Sequence, residues 1–191
     1  MSLVNTLPSP FPEHGHSATP LTRADLELMP TDGRRFELID GALFVSPAPV
    51  PQHQRALLGI YRALFADCPP ELDVLVAPVD VVLADDTVMQ PDLLVARRDD
   101  FSEQDLPVAP LLAVEVLSPS TRRFDLMVKW SRYQDAGCAA YWVVDPDTPS
   151  LIAWELQDGA YVQVAKATGD ETARLTSPFE VSIVPANLFC R

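Results

Sequence analysis

A chain of 191 residues, 48% of them hydrophobic, is long enough to bury one sizeable core, and no stretch of it approaches the roughly 18 uncharged apolar residues of a membrane span. Fourteen Lys and Arg against 27 Asp and Glu leave a net charge of −13. That excludes a basic protein that coats nucleic acid by charge alone, though not a nucleic-acid enzyme whose local basic patch or metal ion bridges the repulsion. The three scattered cysteines, Cys68, Cys138 and Cys190, fit neither a disulfide framework nor a zinc site, and the N-terminus lacks the basic-then-apolar layout of a secretory signal, so the expected compartment is the cytoplasm.

Residues 1–20, with Pro8, Pro10, Pro12 and Pro20 and no sustained period, read as a Pro-rich arm, and residues 21–191 as one domain. Thr22, with Asp25 three residues on, predicts a capped short helix to about Met29. Two alternating runs, Arg35–Ile39 and Ala42–Val45, flank Asp40-Gly41 and predict a hairpin, closed by Pro47, Pro49 and Pro51. From Gln52 to Ala66, Leu57, Leu58, Tyr61, Leu64 and Phe65 fall at helical spacing. Asp73 to Ala84 reads as one strand bent or edged at Pro78, Asp85-Asp86 as a turn, and Pro91–Ala96 as a short strand. After a charged, Pro-punctuated loop over 97–110, Leu111–Leu117 is an almost continuous apolar run, the mark of a central strand covered on both faces. Ser118-Pro119-Ser120-Thr121 breaks it, and a helix is expected from about Arg122 to Ala136, stopped by Gly137. Ala140–Val144 is another apolar strand, Asp145-Pro146-Asp147 a turn, Leu151–Leu156 and Tyr161–Ala165 a second hairpin about Gln157-Asp158-Gly159, and Phe179–Val184 a last strand. The order predicts an α/β domain in which helices flank a mixed central β-sheet, with additional β-hairpins.

The informative feature is a carboxylate inside an apolar strand. Glu115 sits in Leu111-Leu112-Ala113-Val114-Glu115-Val116-Leu117, where an unpaired charge would cost several kcal/mol, so a cation, a lysine or a proton must compensate it. Asp92, directly after Pro91, lies in the preceding strand, and neighbouring strands are about 4.8 Å apart, so the two acids can converge on one hard cation such as magnesium or manganese. Lys129 lies in the following helix, which must pack back on the sheet. From its inner face a lysine can reach both acids and orient or deprotonate an attacking water, while a metal stabilises charge on a phosphoryl oxygen.

Pro91-Asp92, Glu115-Val116-Leu117 and a nearby lysine resemble the PD-(D/E)XK nuclease superfamily. Phe36-Glu37-Leu38-Ile39-Asp40-Gly41, Pro91-Asp92-Leu93, Val114–Thr121 and Ala140–Pro146, in that order between about Leu21 and Phe189, resemble its Uma-type, restriction-endonuclease-like branch. The resemblance implies a restriction-endonuclease-like fold and a Mg-dependent, or Mn-dependent, endonuclease that hydrolyses DNA phosphodiester bonds. Asp92, Glu115 and the carbonyl of Val116 would hold the metal, Lys129 would position the water, and Glu37 would join the site from the first hairpin. It also implies a homodimer. The position two after Glu115, where the superfamily lysine usually stands, is Leu117; in the Uma-type branch the lysine has moved into the next helix, and Lys129 matches it. Alternation supports Glu37 independently, since Glu37 and Ile39 share a face opposite Phe36 and Leu38.

Each residue also has a plainer reading. Glu115 can be an exposed edge residue, Asp92 a turn cap, Lys129 the i,i+4 partner of Asp125, and Glu37 the partner of Arg34 or Arg35 on a solvent face. His53 reads as a capping or surface imidazole, or else as an interface or substrate group; His14 and His16, in the arm, read as inert. Trp130, Tyr133, Tyr141 and Trp142 suit a core or a dimer surface better than base stacking, Arg122 and Arg123 suit a phosphate or a solvated helix start, and Asp145 suits its turn. No Gly-rich phosphate loop, Gly-x-Ser-x-Gly elbow or His-Glu-x-x-His pair occurs, so kinase, serine hydrolase and zinc protease readings lack support. The rival from another class is a non-catalytic binding or assembly module that keeps the nuclease fold, favoured if Arg97, Arg98, Arg122, Arg123 and Arg132 scatter rather than form one basic face; a phosphohydrolase of small nucleotides is a third reading.

Overall fold

The computed structural model of the chain describes residues 19–189. The arm expected over residues 1–20 therefore lies outside the described residues but for Thr19 and Pro20, as do His14, His16 and Cys190.

Local rules act first. Helix α1 (Arg23–Leu26) is shorter than the expected run to Met29, and the Asp25 carboxylate accepts the Thr22 backbone N–H at 2.8 Å across its first turn. Strands β1 (Arg35–Ile39) and β2 (Ala42–Ser46) form the first hairpin, turned by Asp40 and Gly41 at φ 52° and 73°, the two left-handed positions that a tight hairpin turn requires. A Cβ at Gly41 would also stand 2.4 Å from the Cβ of Pro20, so no other residue fits there. Helix α2 (Pro51–Asp67) starts with proline in its first turn, where no N–H is needed. Its buried stripe is His53, Ala56, Leu57, Ile60 and Leu64; Leu58 and Phe65, expected on the apolar face, are exposed, and Phe65 stacks on Tyr61 at 5.4 Å.

The single strand expected over 73–84 is two. Strand β3 (Leu72–Val76) pairs in one sheet and β4 (Val81–Ala84) in another, with Pro78 between them. Strand β5 (Thr87–Met89), unforeseen in the sequence, pairs with both β4 and β1. Strand β6 (Leu93–Arg97) follows Asp92, and β7 (Leu112–Val116) is buried at every position. The expected helix after β7 begins with a π-helical stretch, Phe124–Lys129, that runs into α3 (Trp130–Asp135). Strands β8 (Ala140–Asp145), β9 (Ser150–Gln157) and β10 (Ala160–Thr168) follow, and β11 (Ala173–Leu175), also unforeseen, pairs with β12 (Val181–Ile183).

The central sheet has the order β10-β9-β8-β7-β6-β3; β7 and β8 are parallel and the other neighbours antiparallel, so it is mixed as expected. A second sheet, β2-β1-β5-β4, carries the first hairpin. Alternation along β7 divides the interior. Leu112, Val114 and Val116 pack with Ala56, Ile60 and Leu64 of α2 and with Trp142, whereas Ala113 and Leu117 pack on the other face with Ile39, Tyr133, Tyr141 and Val143. Tyr133, Tyr141 and Trp142 are thus core residues. No helix among the described residues is long and apolar enough to cross a membrane.

Candidate active site

Glu115, an odd-numbered residue of β7, takes the face shared by Ala113 and Leu117, opposite α2. The register Leu93↔Val114 between β6 and β7, continued by one residue, sets Asp92 opposite Glu115 on that same face. The Asp92 carboxylate closes against β7, where Oδ2 accepts the Val116 N–H at 2.9 Å. Glu37 arrives from β1 of the second sheet and Lys129 from the end of the π-helical stretch. The ammonium of Lys129 bridges two carboxylates, 2.8 Å from Glu37 Oε1 and 3.0 Å from Glu115 Oε1. All four residues are buried, between 0% and 4% exposed. The plainer readings of Glu115 as an edge residue and of Glu37 on a solvent face therefore do not hold.

Several other partners differ from those the sequence suggested. Lys129 serves Glu37 and Glu115 rather than forming a surface pair with Asp125, which is itself buried beside the site. Arg35 does not pair with Glu37; its Nη1 donates to Asp92 Oδ1 at 2.9 Å. Arg34 pairs with Asp32 and lies over the Phe36 ring. His53, left open by the sequence, is buried with Nε2 3.0 Å from Asp92 Oδ2, and its Nδ1 has no partner among the described residues. Glu37 is further held by the Gln90 N–H at 2.8 Å and the Ser46 hydroxyl at 3.3 Å. Arg122 pairs with Asp145, which also accepts the Asp147 N–H at 3.0 Å and so does close its turn.

The electrostatics follow from burial against these contacts. For Asp92, burial opposes ionisation, but the His53 hydrogen bond and the nearby Arg35 and Lys129 charges outweigh it and hold the carboxyl well below the usual range. A carboxylate so held only accepts, so the proton in the His53 contact sits on Nε2. Glu115 moves the other way, since burial pushes its carboxyl well up and Lys129 only partly opposes that. Burial would lower Lys129, yet Glu115, Glu37, Asp125 and Asp92 together keep it firmly charged. Asp125 is pushed up to about 6, chiefly by burial.

These groups line a cavity of about 290 Å³ between two loops, Ser46–Val50 on one side and Ser118–Thr121 on the other, with Phe124 in its wall. Among the described residues, no group of three or more His, Cys, Asp and Glu is disposed to hold a metal ion. Asp92 and Glu115 both line the cavity, and carboxylates are the hard-oxygen donors that suit magnesium, which keeps several of its waters.

The five arginines do not make one basic face. Arg97 and Arg98 lie at the end of β6 remote from Asp92, Arg98 pairs with Asp73, and Arg132 pairs with Asp40 and Asp135 on α3.

A mixed sheet flanked by helices, with two acids and a lysine on adjoining elements, defines a nuclease-like fold. A crystal structure described as a "putative nuclease belonging to DUF820", from Anabaena variabilis, shares that fold with a TM-score of 0.69 at 17% identity, over 89% of this chain and 98% of its own. The chain belongs to the Uma2 family, described as "Putative restriction endonuclease", which it matches over residues 23–186. Among curated proteins no match is found.

Proposed function

We propose that the protein is a magnesium-dependent, or manganese-dependent, endodeoxyribonuclease. The observation that carries this reading is the buried Lys129 ammonium joining Glu37 and Glu115, with Asp92 on the next strand facing the same cavity. Asp92, Glu115 and the Val116 carbonyl would hold the ion, which supplies a Lewis acid that stabilises charge on the phosphoryl oxygens and lowers the pKa of water. Arg35, His53 and the Val116 N–H keep Asp92 ionised and fixed in orientation. Lys129 presents donors beside Glu115, where an attacking water is held in line with the phosphate, and Glu37 fixes the ammonium from the opposite sheet. The wider reading takes residues 21–191 as one domain working in the cytoplasm as a homodimer.

The test is thermal unfolding with increasing magnesium or manganese, alongside cleavage of labelled DNA. A saturable rise in the midpoint and metal-dependent cleavage, both lost in Glu115→Gln and Asp92→Asn with the fold retained, are expected. Cleavage retained by both variants refutes the assignment.

A second reading, a non-catalytic binding or assembly module on the same fold, is favoured by the scatter of the arginines and by the net charge of −13. It predicts the metal-dependent stabilisation without hydrolysis.

A further inference from the structure

We propose that this site, if it is the nuclease centre argued above, takes single-stranded rather than intact duplex DNA. The proposal rests on that reading and adds the form of the substrate.

Depth is the first observation. Asp92, Glu115 and Lys129 are 4%, 2% and 2% exposed, so a scissile phosphate must descend past both loops to meet them. The lips, by contrast, are open to solvent at Pro47, Pro49, Val50, Pro119 and Ser120. A cavity of about 290 Å³ admits a piece of one strand, on the scale of a nucleotide, and not a double helix. A duplex is stiff and keeps its phosphates on the outside of a rod, so bringing one to the floor requires a nucleotide to be unstacked, unpaired and swung out. A single strand needs neither unpairing nor the bending of a rod.

The chemistry of the two lips is the second observation. Pro47, Ala48, Pro49 and Val50, with the partly buried Phe124 ring also in the lining, offer apolar surface against which a sugar or base can lie. Opposite, the hydroxyls of Ser118, Ser120 and Thr121 are mutually bonded at 2.9–3.0 Å and suit a phosphate oxygen. Neither lip carries a cation.

Charge is the third. A duplex presents a negative charge for about every 1.7 Å of axis, and its binding depends on cations that track the backbone beyond the reacting phosphate. Here the lining cations Arg35 and Lys129 are bound to carboxylates, and of the two arginines that flank the serine lip Arg122 is paired with Asp145, which leaves the exposed Arg123 as a single cation rather than a track along a duplex backbone. A net charge of −13 repels a long duplex more than a short length of single strand.

The experiment compares a labelled single-stranded oligonucleotide with the same strand annealed to its complement, using the full chain and manganese, with Glu115→Gln as the control for contaminating nuclease. The expected result is cleavage of the single strand at least about tenfold faster than the duplex, from the cost of extruding a paired nucleotide, and no cleavage by the variant. Equal or faster cleavage of the duplex overturns this inference and leaves the nuclease assignment standing. No cleavage of either substrate, or equal cleavage by Glu115→Gln, overturns both.

Discussion

Replacing Lys129 by methionine keeps most of the side-chain volume and removes the charge that joins Glu37 of the second sheet to Glu115 of the central one. The ammonium stands 2.8 Å from Glu37 and 3.0 Å from Glu115, and at an effective dielectric near 20 each contact is worth roughly 5–6 kcal/mol of attraction before desolvation is subtracted. Lys129 is 2% exposed, so most of that attraction offsets the cost of burying it, and the net value of the triad is small. Losing one member is different, because Glu37 and Glu115, 0% and 2% exposed, are then left without their shared cation. Breaking a buried pair in this way costs roughly 3–5 kcal/mol. For a chain of 191 residues that is a fall of roughly 6–20 °C in the unfolding midpoint. The assay is urea and thermal unfolding near neutral pH in the presence of a chelator, so that no divalent ion substitutes for the ammonium. Adding Glu115→Gln to Lys129→Met is expected to recover part of the loss, since residues in contact are not additive. A single-variant loss under about 1 kcal/mol, or strict additivity in the double variant, would refute the bridging role and the site built on it.

Asp125→Asn is expected to stabilise the protein near neutral pH. The native carboxyl is pushed up to about 6, mainly by burial, so between roughly pH 4 and 6 the folded state holds a proton that the unfolded chain has lost, and stability falls as pH rises through that window. The neutral side chain removes that slope, by up to roughly 3 kcal/mol, and unfolding midpoints measured from pH 4 to 7 check it; an unchanged slope contradicts it. Gly59→Ala should destabilise in spite of a helix-propensity gain of about 1 kcal/mol, because a Cβ there would stand 2.1 Å from the Leu188 carbonyl oxygen and 2.6 Å from its Cα. Chemical denaturation decides the sign, and a more stable variant would show that α2 and the 185–189 turn do not meet as described.

What the sequence made legible had local signals. Asp40-Gly41 and Asp158-Gly159 mark their hairpins because two successive left-handed residues suit few other pairs. Glu115 stands out because a charge in an unbroken apolar run demands a partner, and Asp92 because it opens the neighbouring strand. The partner of Arg35 and His53 was not legible, because it lies far along the chain. Arg35 reaches an aspartate 57 residues on and His53 one 39 residues on, and nothing in their neighbours announces it. The division of 73–84 into β3 and β4 was hidden for a related reason: apolar residues in both segments serve a pleated strand in either sheet, and Pro78 shows an interruption without showing that the chain changes sheets.

Lys129 illustrates how a helix, rather than the strand that carries Glu115, supplies the cation to the buried acids. Leu117, two residues beyond Glu115 on the same face, is 4% exposed and packs with Tyr133 and Tyr141, so an ammonium there would displace core contacts. The next helix supplies the charge instead, and it must keep Asp125, Lys129 and Tyr133, all buried, on one inner face. In an unbroken α-helix of 3.6 residues per turn, a row spaced by four drifts by roughly 40° per step, a spread that one buried face still accommodates, as Ala56, Ile60 and Leu64 show in α2. The wider π turn over Phe124–Lys129 offsets that drift before α3 resumes the ordinary pitch. The Tyr141 hydroxyl donates to the Asp125 carbonyl at 2.9 Å and ties the widened turn to β8. The π stretch thus carries Lys129 to the acids and brings Asp125, Lys129 and Tyr133 into closer line than a regular α-helix does.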